Sequence, residues 1–285
     1  MAAKSSAIRK VAFQGELGAF SQQAIQQLLG FRVEPVPCSR FEQVYTTLES
    51  RKADAAVVPL ENTLAGSVHD NYDLLLKYPF VITAETSVRV VHNLIAPPGT
   101  KFASIRRVYS HPVALNQCLD FFAKYTKIGR EPFYDTAGSV KMVMATRKPG
   151  EAAIASELAA QIYGGQILKR GLEDDRQNFT RFFLLEKAGS PPRSIKTMAK
   201  RPWKTSLVFS IKNVPGALFK ALSALALRDL NLVKIESRPR RGRPWEYLFY
   251  LDLMGNPADV PVRNALNQLK EITDFLRVLG TYRAA

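Results

Sequence analysis

Five short polar stretches hold most of the side chains able to do chemistry: Gly18-Ala19-Phe20-Ser21, Glu61-Asn62-Thr63-Leu64-Ala65-Gly66-Ser67, Ser110-His111-Pro112 with Gln117 beyond it, Asp135-Thr136-Ala137-Gly138, and Asn178-Phe179-Thr180-Arg181-Phe182. Hydroxyls and amides dominate them, groups that orient a substrate and hydrogen-bond to developing charge. Arg181 adds a fixed cation suited to a carboxylate. For any one stretch the bland alternative is capping, because Ser, Thr, Asn and Asp are favoured at helix N-termini whatever the function. Taken together, and with a cation among them, they describe a site for a small anion. The three histidines, His69, His92 and His111, have no metal-ligand spacing and no Gly-x-Ser-x-Gly elbow beside them, which removes metallohydrolase and serine-hydrolase chemistry. His111, just before Pro112, reads as a packing or capping residue, and His69 and His92 receive no catalytic role. Gly15-Glu16-Leu17-Gly18 lacks the third glycine of a dinucleotide fingerprint and no Gly-Lys-Ser/Thr loop occurs, so neither a nucleotide cofactor nor a metal is expected. Cys38 and Cys118 form no ligand motif and read as buried free thiols.

The elements that must position these groups alternate between short apolar runs and helical patterns. Strand candidates are Val11-Ala12-Phe13, Ala55 to Pro59, Val81-Ile82-Thr83, Val88 to Ala96, Ala152 to Ala155 and Phe182 to Leu185. Helical spacing covers Phe20 to Leu29, Phe41 to Leu48, Pro112 to Tyr125, Ser139 to Ala145 and Glu157 to Tyr163. The alternation predicts an α/β portion with a largely parallel sheet, in which turns at the carboxyl ends of strands, and the helix N-termini there, face a ligand crevice. Pattern alone leaves open whether this is one doubly wound sheet or two lobes.

Three prolines and several basic residues between Gly189 and Pro202, with almost no apolar period, read as a linker. Domains are therefore expected at 8–188 and 204–285, joined by 189–203. In the second, a strand from Thr205 to Ile211 precedes a helix with Leu218, Leu222 and Leu225. A strand from Asn231 to Arg238 and one through Trp245, Tyr247, Phe249, Leu251 and Leu253 follow. Val262, Leu266, Leu269, Ile272 and Leu276 trace a helix, and Val278 to Tyr282 a last strand. The order βαββαβ predicts a ferredoxin-like sheet with both helices on one face. The net charge of +15 is uneven: residues 191–285 carry 17 Lys and Arg against 7 Asp and Glu, leaving 23 against 18 for the first 190. The excess clusters in the linker (Arg193, Lys196, Lys200, Arg201, Lys204) and in a loop with Arg238, Arg240, Arg241 and Arg243. Arg240-Arg241-Gly242-Arg243-Pro244 is similar to the core of a minor-groove hook, yet strand patterns flank it closely, so a hairpin is expected and no nucleic-acid partner.

The five polar stretches, in this order, resemble the landmarks of the prephenate dehydratase family over Val11 to Thr281. Thr180-Arg181-Phe182 matches the family's catalytic triplet and Glu61-Asn62-Thr63 its Glu-Asn-Ser/Thr turn, continued by Gly66 to Asp73. The resemblance implies a two-lobed, periplasmic-binding-protein-like catalytic portion with substrate in the cleft. It places Asn62, Thr63, Ser110, Gln117, Thr136 and Asn178 around the substrate, Thr180 at the leaving hydroxyl, Arg181 at a carboxylate and Phe182 as an apolar wall. Downstream, Gly216-Ala217-Leu218-Phe219 and Glu236-Ser237-Arg238-Pro239 resemble the two effector motifs of an ACT domain, with Phe219 where the family has valine. Phenylalanine is thus expected to bind across Gly216, Ala217, Leu218, Phe219, Asn231, Glu236, Ser237, Arg238 and Pro239 where two copies meet, giving a homodimer or homotetramer. Conversion of prephenate to phenylpyruvate, carbon dioxide and water in phenylalanine biosynthesis, without cofactor and under feedback by phenylalanine, is the implied activity. Arogenate is the alternative substrate, since wording around Gly15 to Ser21 and Asn231 to Pro239 is plant-like, and a regulator that binds a carboxylate without converting it is the alternative outside catalysis. No membrane run or signal core is read in the chain, and the start shows no Ser- and Arg-rich transit segment, so a cytoplasmic location is expected, or a plastid one if such a segment was trimmed.

Overall fold

A computed structural model describes residues 8–191, 193, 198–240, 242–243 and 245–285. Lys196 of the basic linker, and Arg241 and Pro244 of the Arg-rich loop, lie outside the described residues. Contacts divide the chain into two units, one of residues 8–78 and 86–184 and one of 79–85 with the described part of 185–285.

The first unit has two lobes, each built on its own sheet. In the first lobe, β1 (Lys10–Gln14), α1 (Phe20–Leu29), β2 (Glu34–Cys38), α2 (Phe41–Glu49), β3 (Ala55–Asn62), β4 (Gly66–Ser67) and α3 (His69–Lys77) follow one another. β1 lies parallel between β2 and β3, and the sheet continues from β3 to β11 (Phe179–Lys187). α1 turns Ser21, Ala24, Ile25 and Leu28 inward at helical spacing and stops at Gly30, whose φ of 78° favours glycine.

The chain leaves this lobe after β5 (Phe80–Arg89) and returns along residues 170–178. The second lobe holds β6 (Asn93–Ala96), β7 (Arg107–Ser110), α4 (Pro112–Asn116), α5 (Leu119–Lys124), β8 (Gly129–Pro132), α6 (Thr136–Thr146), β9 (Glu151–Ala155), α7 (Glu157–Tyr163) and β10 (Gln166–Lys169). Its sheet order is β10-β6-β9-β7-β8. Here the expectation of a largely parallel sheet is corrected: β7 is parallel to β8 and β9, but β6 runs antiparallel to β9 and β10. Five buried residues fill β9, as a strand covered on both faces requires.

Two sequence-based elements break. The run from Val88 to Ala96 is interrupted at Val90 to His92, where the Val90 amide donates to the Asn178 carbonyl (2.8 Å) and the His92 amide to Glu173 Oε2 (2.9 Å). The helix expected over Pro112 to Tyr125 ends at Gln117 and restarts at Leu119, because the Asp174 carboxylate accepts the Leu119 and Asp120 amides (2.8 and 3.0 Å) and caps the second piece.

In the other unit, β12 (Trp203–Ser210), α8 (Ala217–Ala226), β13 (Leu232–Pro239), β14 (Tyr247–Met254), α9 (Val260–Ile272) and β15 (Phe275–Arg283) form an antiparallel sheet of order β13-β14-β12-β15, with β15 meeting Ile82 of β5. Leu207, Phe209, Leu251 and Leu253 of the sheet share a core with Ala221, Leu225, Val262 and Leu269 of the two helices. Two boundaries differ from the sequence reading. Leu276 belongs to β15, since Thr273 is extended and its hydroxyl closes α9 on the Leu269 carbonyl (2.6 Å). Trp245 precedes β14 in a hairpin, at a φ of 66°. The same hairpin holds the basic loop: Arg240 and Arg243 both reach Glu246 (3.1 and 3.4 Å).

Candidate functional site

β3 ends at Asn62 and β11 begins at Phe179, and the hydrogen bonds between these two points set up the site. Asn62 Oδ1 accepts the backbone amides of Leu64 (3.0 Å) and Ala65 (2.8 Å). That fixes the other end of the amide as donor, and Nδ2 reaches Asn178 Oδ1 (2.7 Å), the Phe179 carbonyl (3.1 Å) and Thr180 Oγ1 (2.9 Å). The polarity then propagates. With its Oδ1 accepting, Asn178 donates through Nδ2 to Gln117 Oε1 (2.9 Å), and the same oxygen takes a second bond from His92 Nε2 (3.0 Å). Two backbone amides in one turn thus orient four side chains and select the His92 tautomer with hydrogen on Nε2. Burial holds the His92 pKa below its ordinary value, with the Gln117 bond and Glu173 pulling the other way, which favours the neutral ring, and its buried Nδ1 has no hydrogen-bond partner among the described residues.

The consequence for Thr180 is specific. Its oxygen accepts from Asn62, which leaves its own O–H without a protein acceptor among the described residues, free to donate to a ligand. Thr63 anchors the same corner, donating to the Gln177 carbonyl (2.7 Å) and accepting the Phe179 amide (3.0 Å).

Of the residues singled out in the sequence, Asn62, Gln117, Asn178 and Thr180 are brought into one network and Thr63 braces it. Ser110 is fully buried and donates to the Ile154 carbonyl (2.6 Å), and Thr136 sits in the first turn of α6; neither shares a hydrogen bond with the network. Strand alternation separates the triplet: Thr180 meets Asn62, while the Arg181 guanidinium lies over the Phe183 ring (4.7 Å). Phe182 is 2% exposed and packs in the core. His111 caps α4, its Nδ1 accepting the Val113 amide (3.3 Å). His92 was missed. Its one sequence signal is a titratable ring inside the apolar run Val90 to Ala96, which reads equally as core.

A second set of contacts joins the lobes around Gly15 to Gly18. Tyr134 donates to Glu16 Oε1 (3.1 Å), Lys141 to Glu16 Oε2 (3.0 Å), and Ser156 to the Gly18 carbonyl (2.5 Å). A Cβ on Gly18 would sit 2.6 Å from Ala159 Cα, so the backbone approach demands glycine. Asp135, the N-cap of α6, has its carboxyl pushed up by burial against the backbone bonds from Gly138 and Glu16. Tyr163 is pushed up to about 12, by burial first and then by Glu16 and Asp135.

In the C-terminal unit, Gly216 enters α8 at a φ of 76°, and a pocket of about 120 Å³ beside it is lined by Val214, Ala217, Leu218, Trp245, Tyr247 and Phe249, among others. Phe219 points outward, 76% exposed, and is not part of that lining. Glu236, Ser237, Arg238 and Pro239 lie on β13 at the sheet edge, and Asn231 just before it accepts the Met254 amide (2.9 Å).

Two lobes joined by two crossings, carrying a separate βαββαβ unit, define a binding-protein-like catalytic body with a regulatory domain. Family models agree part by part: that for prephenate dehydratase matches residues 11–190 and that for the ACT domain residues 205–271. The chain belongs to the prephenate dehydratase family. It is 43% identical to arogenate dehydratase/prephenate dehydratase 2, chloroplastic, of Arabidopsis thaliana over 96% of this chain and 72% of that one. Among solved structures, a prephenate dehydratase from Arthrobacter aurescens in complex with L-Phe is 31% identical with a TM-score of 0.87, over 97% of this chain and 90% of that one. A protein described as GqqA, a novel type of quorum quenching acylase, is 34% identical with a TM-score of 0.88, over 97% and 98%. No helix among the described residues is long and apolar enough to cross a membrane.

Proposed function

We propose that this chain converts prephenate to phenylpyruvate, carbon dioxide and water, with Thr180 at the departing hydroxyl. The supporting observation is the Thr180 O–H, turned loose by the Asn62 amide and unclaimed among the described residues. In the reaction the bond to the ring carboxylate breaks, its electron pair enters the ring, and the opposite C–O bond breaks as the oxygen takes up a proton. Aromatisation drives the step. A threonine hydroxyl is too weak an acid to be the full proton source, so Thr180 acts by hydrogen-bonding the oxygen as negative charge gathers there, a kind of interaction worth about 10²-fold or more in turnover. Asn62, Asn178 and Gln117 keep that hydroxyl aimed and Thr63 braces their turn, while Arg181, turned to the other face of β11 over the Phe183 ring, and the buried Ser110 stand outside that network.

Arogenate differs in carrying an ammonium where prephenate has a keto group, and an ammonium calls for an acceptor or carboxylate. The hydrogen bonds linking Asn62, Thr180, Asn178 and Gln117 involve no carboxylate, which favours prephenate. kcat/KM for both substrates on one preparation is the test, and a preference for arogenate of tenfold or more, about 1.4 kcal/mol, overturns the choice. Tight binding of prephenate without product would instead make the chain a binding regulator. Acyl transfer, the activity attached to GqqA, needs a base beside the nucleophile. Thr180 receives only the Asn62 amide among the described residues, so this reading gains no support here.

For regulation, we infer that phenylalanine occupies the pocket beside Gly216. Of the two effector motifs, one copy brings only Ala217 and Leu218 of the first into that pocket and presents Glu236 to Pro239 on an edge strand, so a complete site calls for a second copy, and a homodimer is the smallest assembly that supplies it.

A further inference from the structure

The second lobe carries a concavity that neither the network at Thr180 nor the pocket at Gly216 uses. It has a volume of about 290 Å³ and lies where the loop before β7 meets the end of α5. Its floor is apolar: Ile105 and Ile128 belong to the core of the lobe, and the Phe102 and Tyr125 rings meet edge to face at 4.9 Å. Its rim is cationic. Arg106, Lys124 and Lys127 line it, no carboxylate does, and none of the three forms an ion pair among the described residues. Lys169 adds a further positive charge, its Nζ 4.6 Å from the Phe102 centroid and 5.3 Å from that of Tyr125. This differs from the neighbouring Arg107, which is paired with Glu151 at 3.2 Å.

Arg106 is aimed. Its Nη1 donates to the carbonyls of Ala103 (2.9 Å) and Ile105 (2.8 Å), which pins the guanidinium and leaves the Nε and Nη2 edge without a partner among the described residues. That edge presents two parallel N–H groups, the geometry a carboxylate accepts. An aromatic floor under a fixed guanidinium and two exposed lysines, of which Lys124 holds its Nζ 5.9 Å from the Tyr125 centroid, takes a flat ring bearing one carboxylate, with the ring at the Phe102 and Tyr125 pair and the anion at Arg106.

We propose that this concavity is a second ligand site, for a small aromatic carboxylate. It shares no lining residue with the network at Thr180: Arg106 precedes β7, and Ser110 at the other end of that strand is about 13 Å further along. The assignment does not depend on which substrate the enzyme prefers.

The test uses the full chain, labelled at isoleucine methyls and saturated with L-phenylalanine so that the pocket at Gly216 is filled. Titration with 4-fluorophenylacetate is expected to shift the Ile105 and Ile128 methyls saturably. Lys124→Gln with Lys127→Gln, both exposed, is expected to weaken binding roughly tenfold, as is Arg106→Gln, while Thr180→Ala leaves it unchanged. Titrating phenylpyruvate and tryptophan in turn tells a keto acid from an amino acid as the source. Absence of shifts at those two isoleucines up to about 10 mM probe overturns the proposal, since even a drug-fragment-sized ligand in a formed site binds in that range. Equal affinity in the wild type and the double lysine variant overturns it as well, and that variant stays informative if Arg106→Gln does not fold.

Discussion

The network at Thr180 and the pocket at Gly216 both begin at a turn following a strand, yet they are built on opposite terms. The first is a closed chain of hydrogen bonds in which two backbone amides set every donor and acceptor from Asn62 to His92, with Asn178 wholly buried. The second is an open apolar hollow beside a left-handed glycine, with Trp245 78% exposed at its edge. Stabilising charge in a reaction needs a proton whose direction is fixed before the substrate arrives. Sensing an amino acid needs a surface that changes its packing when filled. Lesions in the two regions should therefore separate turnover from regulation.

The largest effect is expected from Thr180→Ala: turnover falls by about 10²- to 10³-fold while phenylalanine binding, read by calorimetry, stays as in the wild type. Wild-type turnover in a folded Thr180→Ala protein would remove Thr180 from the mechanism. Next comes Gly18→Ala, whose methyl would press on Ala159 and push the lobes apart. A displacement of about 1 Å is enough to cost up to 10²-fold, so kcat should drop markedly with phenylalanine binding intact; unchanged kcat would show that the lobes tolerate the shift.

Trp245→Ala should act in the reverse sense, weakening phenylalanine inhibition about tenfold with basal kcat unchanged, since it removes one exposed wall of the hollow. A loss of basal activity instead would tie the hollow to catalysis and collapse the comparison.

The smallest effect concerns His92 and pH. Its folded pKa lies below the unfolded value of about 6.5, so between the two the unfolded chain binds a proton that the native ring refuses. Stability should therefore fall as pH drops below about 6.5 and be flat above it with respect to this group. Melting temperature measured from pH 7.5 to pH 5 should decline less steeply in His92→Gln than in the wild type. Parallel curves would mean that His92 is not the proton-linked group.

Much of this was legible without coordinates because its causes are local. Phe20–Leu29 and Glu157–Tyr163 read correctly as helices since apolar spacing and terminal signals, Gly30 after the first and Ser156 and Gly164 around the second, sit within a few residues. The five polar stretches were legible as turns for the same reason, and three of the proposed substrate residues, Asn62, Gln117 and Asn178, do meet at Thr180. What the sequence could not show is that Thr180 and Arg181 face apart, that Phe182 is core, and that Gln117 ends a helix.

The amino-acid sequence by itself determined the α/β and βαββαβ succession and the chemical types gathered at strand ends. Tertiary structure alone decided which of those groups share hydrogen bonds and in which direction. Asn62 and Thr180 are 118 residues apart, and Leu119 is capped by Asp174 from 55 residues away. A periodic pattern reports which face of an element is buried, whereas the polarity of an amide or the break in a helix depends on a partner delivered by the rest of the fold.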